Sequence, residues 1–198
     1  ASIAEMYETH LAIQQHPLVA SEFGGLGGYK LGAIGAVEGE ACLYAPLFRR
    51  FLVPMPGEGL SAAAIQLWQI EPEIGFVLGA GLPARTDGNP HTAESVWAAA
   101  SEVVLCVECC GKRFAPEAAA QGLGAFADTL SSGGVVMGPS LPAAGLSIDA
   151  LRGATELLVN GAVVAEGSGA AAPLGGPAEA LAWLPRGAAA PDPSATTA

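Results

Sequence analysis

Two apolar runs in this chain read as strands, and carboxylates interrupt both. The first is Glu71-Pro72-Glu73-Ile74-Gly75-Phe76-Val77-Leu78. The second is Val103-Val104-Leu105-Cys106-Val107-Glu108-Cys109-Cys110. Short runs rich in β-branched and aromatic residues favour strands. A carboxylate inside such a run is costly to desolvate unless something pairs with it. Three together also repel one another and raise each other's pKa. A divalent cation removes both problems. Residues two apart on a strand share a face and stand roughly 7 Å apart. Glu71 and Glu73 can therefore share one ion, with Glu108 as the third ligand. All-carboxylate ligation suits a hard cation that keeps some of its waters. The alternative is three solvated strand-edge carboxylates with no ion.

The 198 residues suffice for one domain with a real core, and 51% hydrophobic against 14% charged residues excludes a generally disordered chain. A net charge of −11 excludes the basic stripe that phosphate backbones require, so nucleic acid is not expected as a partner. No apolar run reaches the length of a membrane span, and no segment has the layout of a signal peptide. The expected location is intracellular, either cytoplasm or the matrix or stroma of an organelle. Three of the four cysteines, Cys106, Cys109 and Cys110, crowd into one strand, a poor layout for a disulfide framework. On a strand Cys106 and Cys110 face one way and Cys109 the other. With Cys42 they read as small buried hydrophobes in a reducing compartment.

Local signals place the remaining elements. Residues 2–15 carry a helical pattern, with Ser2 as N-cap and Glu5 three residues on. The glycine-rich stretch 23–32 lacks the Gly-Lys-Ser/Thr ending of a phosphate loop. Tyr29 to Ile34 and Phe48 to Val53 read as short strands, and 54–64 as a Pro/Gly/Ala linker. A long strand from Ile65 to Leu78 contains Pro72, which points to a sheet edge or a bulge. Thr86 to Pro90 is a turn. Thr92 caps a helix running to Ala100, and the cysteine-rich strand follows. Pro116 to Gln121 reads as a helical turn. Ser131-Ser132-Gly133-Gly134 leads into the strand at Val135. Asn160-Gly161 between two apolar runs predicts a hairpin. Pro177 starts a last helix to Leu184. His10, His16 and His91 are expected at the surface. The count is mixed α and β with β dominant. One domain is expected over 1–186, followed by a Gly/Ala/Pro-rich tail over 187–198.

Several blocks in order resemble one family. They are Gly28-Tyr29-Lys30-Leu31-Gly32, Glu71-Pro72-Glu73-Ile74-Gly75-Phe76-Val77-Leu78-Gly79, and Val107-Glu108 with Arg113-Phe114. Ala127-Asp128 with Ser131-Ser132-Gly133 follows, then Val159-Asn160-Gly161, Gly167-Ser168-Gly169-Ala170 and Ala180-Leu181-Ala182-Trp183-Leu184. From about residue 28 to 184 the chain resembles the fumarylacetoacetate hydrolase superfamily, in its branch of 2-oxopent-4-enoate hydratases and 4-oxalocrotonate decarboxylases. The resemblance implies an α+β, β-dominant fold, a mixed β-roll with flanking helices and here a shortened N-terminal part. It implies Mg²⁺ or Mn²⁺ held by Glu71, Glu73 and Glu108. It implies a lyase acting on a small 2-oxo or 2-hydroxy-dienoic acid, by enolisation beside a carbonyl and then hydration or decarboxylation. Lys30 and Asp128 are the candidate catalytic residues. Ser131, Ser132 and Gly133 are the candidates for binding the substrate carboxylate. Family members are commonly homo-oligomers.

The chain departs from the family pattern at three places. An acid expected in a Val-Asp-Ser-Arg-like run is replaced in Cys110-Gly111-Lys112-Arg113, Ala-Asp-Asn appears as Ala127-Asp128-Thr129, and a usual His is Gly176. These changes touch the pocket. They set a second function class beside the enzyme: a catalytically weakened relative serving as a structural or binding subunit of a larger assembly.

Overall fold

The computed structural model describes residues 2–32, 42–82, 85, 87, 89–115, 117 and 124–184. The expected turn at 116–121, the far end of the strand at 33–34 and the tail lie largely or wholly outside these residues, and the 86–90 turn lies partly outside them.

The first helix forms where its cap predicts. In α1 (Ile3–Gln15) the Ser2 hydroxyl accepts from the Glu5 backbone N–H, and the Glu5 carboxylate accepts from the Ser2 N–H at 2.7 Å. A second helix, α2 (Pro17–Phe23), has Pro17 in its first turn and ends on Gly24 at φ 71°. It is not expected from the sequence, because its glycine-rich flank masks so short a pattern.

Among the described residues, strands build three sheets. β1 (Leu26–Gly32) pairs antiparallel with β2 (Leu43–Phe48). The expected strand at 48–53 is split in two. Its first part ends in β2, residues 49–51 make a 3₁₀ turn, and β3 (Leu52–Pro54) follows. The linker reading of 54–64 gives way at its end to α3 (Ala62–Ile65), capped by Ser61. β4 (Leu67–Leu78) and β5 (Ala100–Gly111) flank α4 (Ala93–Ala99), and α5 (Gly124–Ala127) precedes β6 (Ser132–Pro142). The central sheet has the order β3-β6-β5-β4, antiparallel except for the β3–β6 pair. Pro72 is tolerated because β4 is an edge strand. β7 (Ala154–Val159) and β8 (Ala162–Ser168) form the predicted hairpin, with Asn160 and Gly161 at φ 52° and 82°. α6 (Pro177–Trp183) closes the described chain.

The core forms where these pieces meet. Met6 of α1 packs with Leu43, Ala45 and Leu130. Tyr44 stacks on Tyr7 at 4.5 Å and packs against Trp183. Val103, Ala143 and Leu151 take Ile74 and Phe76 from the other face of β4. Two histidines expected at the surface are buried instead. His10 is 1% exposed and shares the inner stripe of α1 with Met6, while His91 is 9% exposed. Polarity alone misplaced them, because helical spacing puts position 10 one turn after Met6. Among the described residues no helix is long and apolar enough to cross a membrane.

Candidate metal centre

The antiparallel register of β4 and β5 sets Glu71 directly opposite Glu108, Glu73 opposite Cys106, and Gln69 opposite Cys110. Opposed residues point to the same face. One face of the sheet therefore carries Glu71, Glu73, Cys106, Glu108 and Cys110, while Ile74 and Phe76 serve the core behind it. Cys109 faces away from this group, as alternation requires.

Burial follows strand position. β5 lies inside the sheet and β4 at its edge. Glu108 is 2% exposed, Glu71 is half-buried and Glu73 is exposed. Like charges placed directly opposite repel. Lys30, reaching over from β1, offsets this with its Nζ 2.5 Å from Glu108 Oε2. The same ammonium lies 3.4 Å from the Leu130 carbonyl oxygen. The other carboxylate oxygen, Glu108 Oε1, is buried with no hydrogen-bond partner among the described residues. Gln69 Nε2 donates to Glu71 Oε1 at 2.5 Å.

Glu73 keeps solvent on one side, yet its carboxyl is crowded by protein. Burial first, then the charge of Glu108, pushes it up to about 7. Cys110 is pushed up to about 12 by burial and by the charges of Glu108 and Glu71. Ligand atoms of Glu71, Glu108 and Cys110 all lie within 4.8 Å of one another. Cys110 is not among the ligands expected from the sequence, although its alternation with Glu108 puts it on the same face.

The remaining candidates gather at a second locus. The Asp128 carboxylate is gripped by Arg113, with Nη2 2.9 Å from Oδ1 and Nε 3.1 Å from both oxygens. Thr129, Leu130 and Ser131 follow at φ 50°, 51° and 62°. Three successive non-glycine residues in the left-handed region cost roughly 1–2 kcal/mol each. Tertiary contacts hold the turn. Arg113 Nη2 donates to Thr129 Oγ1 at 3.1 Å, and Leu130 sits in the core against Met6. Ser132 and Gly133 line a cavity of about 230 Å³ with Arg113, Asp128 and Thr129, walled by aromatic residues such as Phe48. Ser132 Oγ is buried there without a hydrogen-bond partner among the described residues. The structure thus joins Lys30, Glu71 and Glu108, and separately Asp128, Ser132 and Gly133. Leu130 links the two loci through its carbonyl contact with Lys30.

No protein-family profile matches the chain, and no curated protein matches it in sequence. Its fold does match solved structures. 4-Oxalocrotonate decarboxylase from Pseudomonas putida G7, complexed with magnesium and adipate, superimposes at a TM-score of 0.73 with 24% identity. That match covers 94% of this chain and 71% of the other. The same enzyme complexed with calcium and acetate gives a TM-score of 0.72 and 25% identity, covering 94% and 70%. The chain has the fumarylacetoacetate hydrolase fold.

Within the fumarylacetoacetate hydrolase fold, the residues present suit a divalent cation. Two carboxylates converge from neighbouring strands, and one buried oxygen has no donor to satisfy it. The expected acid at position 111 is excluded by packing. A Cβ there would collide with the Ile65 carbonyl oxygen, so glycine is what lets α3 close against the end of β5.

Proposed function

We propose that this protein is a divalent-cation-dependent lyase, a hydratase or decarboxylase of small 2-oxo or 2-hydroxy-dienoic acids. One observation carries the reading. Glu108 is buried opposite Glu71 with one oxygen on Lys30 and the other unpaired. The structural likeness to a decarboxylase solved with magnesium and with calcium supports it. Glu71, Glu73 and Glu108 hold the cation, Mg²⁺ or Mn²⁺. When bound, the cation supplies Lewis-acid stabilisation of the negative charge that develops during enolisation.

The chain's own groups do the rest. Lys30 pairs with a substrate carboxylate or passes a proton, a role supported by its contact with Glu108. Asp128 is the second proton-handling candidate, oriented by Arg113. Ser131, Ser132 and Gly133 bind the substrate carboxylate, with the buried Ser132 hydroxyl as donor. The test is turnover of 2-hydroxypenta-2,4-dienoate, oxaloacetate and 4-oxalocrotonate with and without Mg²⁺, beside Glu73→Ala and Glu108→Gln. Cation-dependent turnover lost in both variants supports the site. Turnover unchanged in both rejects it.

A second reading has its own observation. Leu158, Val159, Val163 and Val164 stand exposed along the β7–β8 hairpin. Leu158 stands opposite Val163 in the hairpin register, and exposed apolar pairs of this kind are suited to contact sites. They support a homo-oligomer, or a subunit of a larger assembly whose catalysis has weakened. Molar mass by light scattering, measured together with turnover, separates an active oligomer from an inactive subunit.

A further inference from the structure

We propose that Cys110 is the inner ligand of the Glu71–Glu108 cation site, which raises that site's affinity for borderline divalent cations such as Co²⁺, Zn²⁺ and Fe²⁺ above what its carboxylates alone would give. The inference rests on the cation-site reading above and goes further in naming the donor and the class of metal. Its basis is a comparison of the three cysteines on one strand. Cys109 faces the opposite side of the sheet and packs as a small buried hydrophobe. Cys106 shares the carboxylate face but is engaged elsewhere, donating to the Glu73 carbonyl oxygen at 3.6 Å. Cys110 alone of the three lies in the donor group, within 4.8 Å of carboxylate oxygens on both Glu71 and Glu108. It is 4% exposed.

A second observation points to an ion at this place rather than a chance cluster. Glu108 Oε1 is buried and has no hydrogen-bond partner among the described residues, while Lys30 occupies only Oε2. The donor set is then a thiol and two carboxylates in an enclosed position, with Glu73 at the open edge of β4. Hard cations prefer oxygen alone, whereas sulfur raises affinity for the later transition metals. On binding, a metal–sulfur bond replaces the S–H bond and the thiol proton passes to the buffer. No change in oxidation state is required.

The experiment uses the full chain stripped with a chelator and titrated with Co²⁺ or Mg²⁺. Co²⁺ is expected to bring up a near-ultraviolet sulfur-to-cobalt charge-transfer band, absent with Mg²⁺. Cys110→Ser is expected to lose the band and weaken Co²⁺ binding at least about tenfold, the low end of what losing a mere outer-shell partner costs. Its Mg²⁺ affinity is expected to change little. Cys106→Ser and Cys109→Ser are expected to keep the band, which assigns it even where Cys110→Ser does not fold. Co²⁺ binding without the band, or loss of the band in either control, overturns the role of Cys110 and leaves the carboxylate site standing. Failure of both cations to bind overturns the site and the inference together.

Discussion

Lys30 Nζ lies 2.5 Å from Glu108 Oε2, across 78 residues of sequence. The pair joins the β1–β2 sheet to the central one at the point where the carboxylates converge. Removing one partner of a buried pair leaves the other charged and unsolvated, at a cost of about 3–5 kcal/mol. Lys30→Met is therefore expected to destabilise the chelator-treated protein by about that amount. Added divalent cation is expected to restore part of it, since a ligand that binds only the folded state stabilises it. Urea denaturation with and without Mg²⁺ measures both. A loss below about 1 kcal/mol, as for an exposed pair, would show that water reaches Glu108 freely.

The buried histidine of α1 makes stability depend on pH. Burial holds the His10 imidazole below its ordinary 6.5, while its Nε2 is 2.9 Å from the Phe126 carbonyl oxygen. Nδ1 is buried with no well-formed hydrogen bond among the described residues, which suits the neutral ring. Just below pH 6.5 the unfolded chain takes up a proton that the folded one does not. Stability is therefore intact above 6.5 and falls as pH drops through that window toward the lowered folded value. Melting temperatures from pH 8 to 5 are expected to decline in the native protein and to decline less in His10→Gln. Equal slopes would count against a buried neutral His10.

At the end of β5, Gly111 leaves room for the Ile65 carbonyl. Gly111→Ala is expected to cost about 1–3 kcal/mol, the range for overpacking a filled site. Restoring the family-like acid with Gly111→Asp is expected to cost more, and not to raise activity. A stable and more active Gly111→Asp would mean that α3 shifts aside readily. Chemical denaturation and the turnover assay decide the matter.

Arg113 and Asp128 should behave as one unit. Their fork-like contact is partly exposed, at 35% and 18%. A double-mutant cycle of Arg113→Ala and Asp128→Ala is expected to give a coupling of about 1 kcal/mol, the upper end for such pairs. Additive single effects would show that Arg113 does not hold the carboxylate in solution. The same cycle read in kcat tests whether Arg113 acts on turnover through Asp128.

Much of this was legible one element at a time. Ser2 and Glu5 announce α1, Asn160-Gly161 the hairpin, and Pro72 an edge strand. Alternation alone put Glu71 with Glu73, and Cys106 with Cys110. The α2 helix and the 3₁₀ break at 49–51 were not legible, because elements so short carry little periodic signal. Glu71 and Glu73 proved less buried than their apolar neighbours imply, since an edge strand leaves one side open.

The caps, the hairpin turn, the strand faces and the family resemblance can all be read from the order of the residues. Those features depend on chemistry between residues a few positions apart. Only the tertiary structure decided that Glu71 opposes Glu108, that Lys30 reaches them, that Cys110 joins their donor group and that His10 is buried. Each of these depends on sheet register and on packing between segments far apart in the chain, which local propensity does not encode.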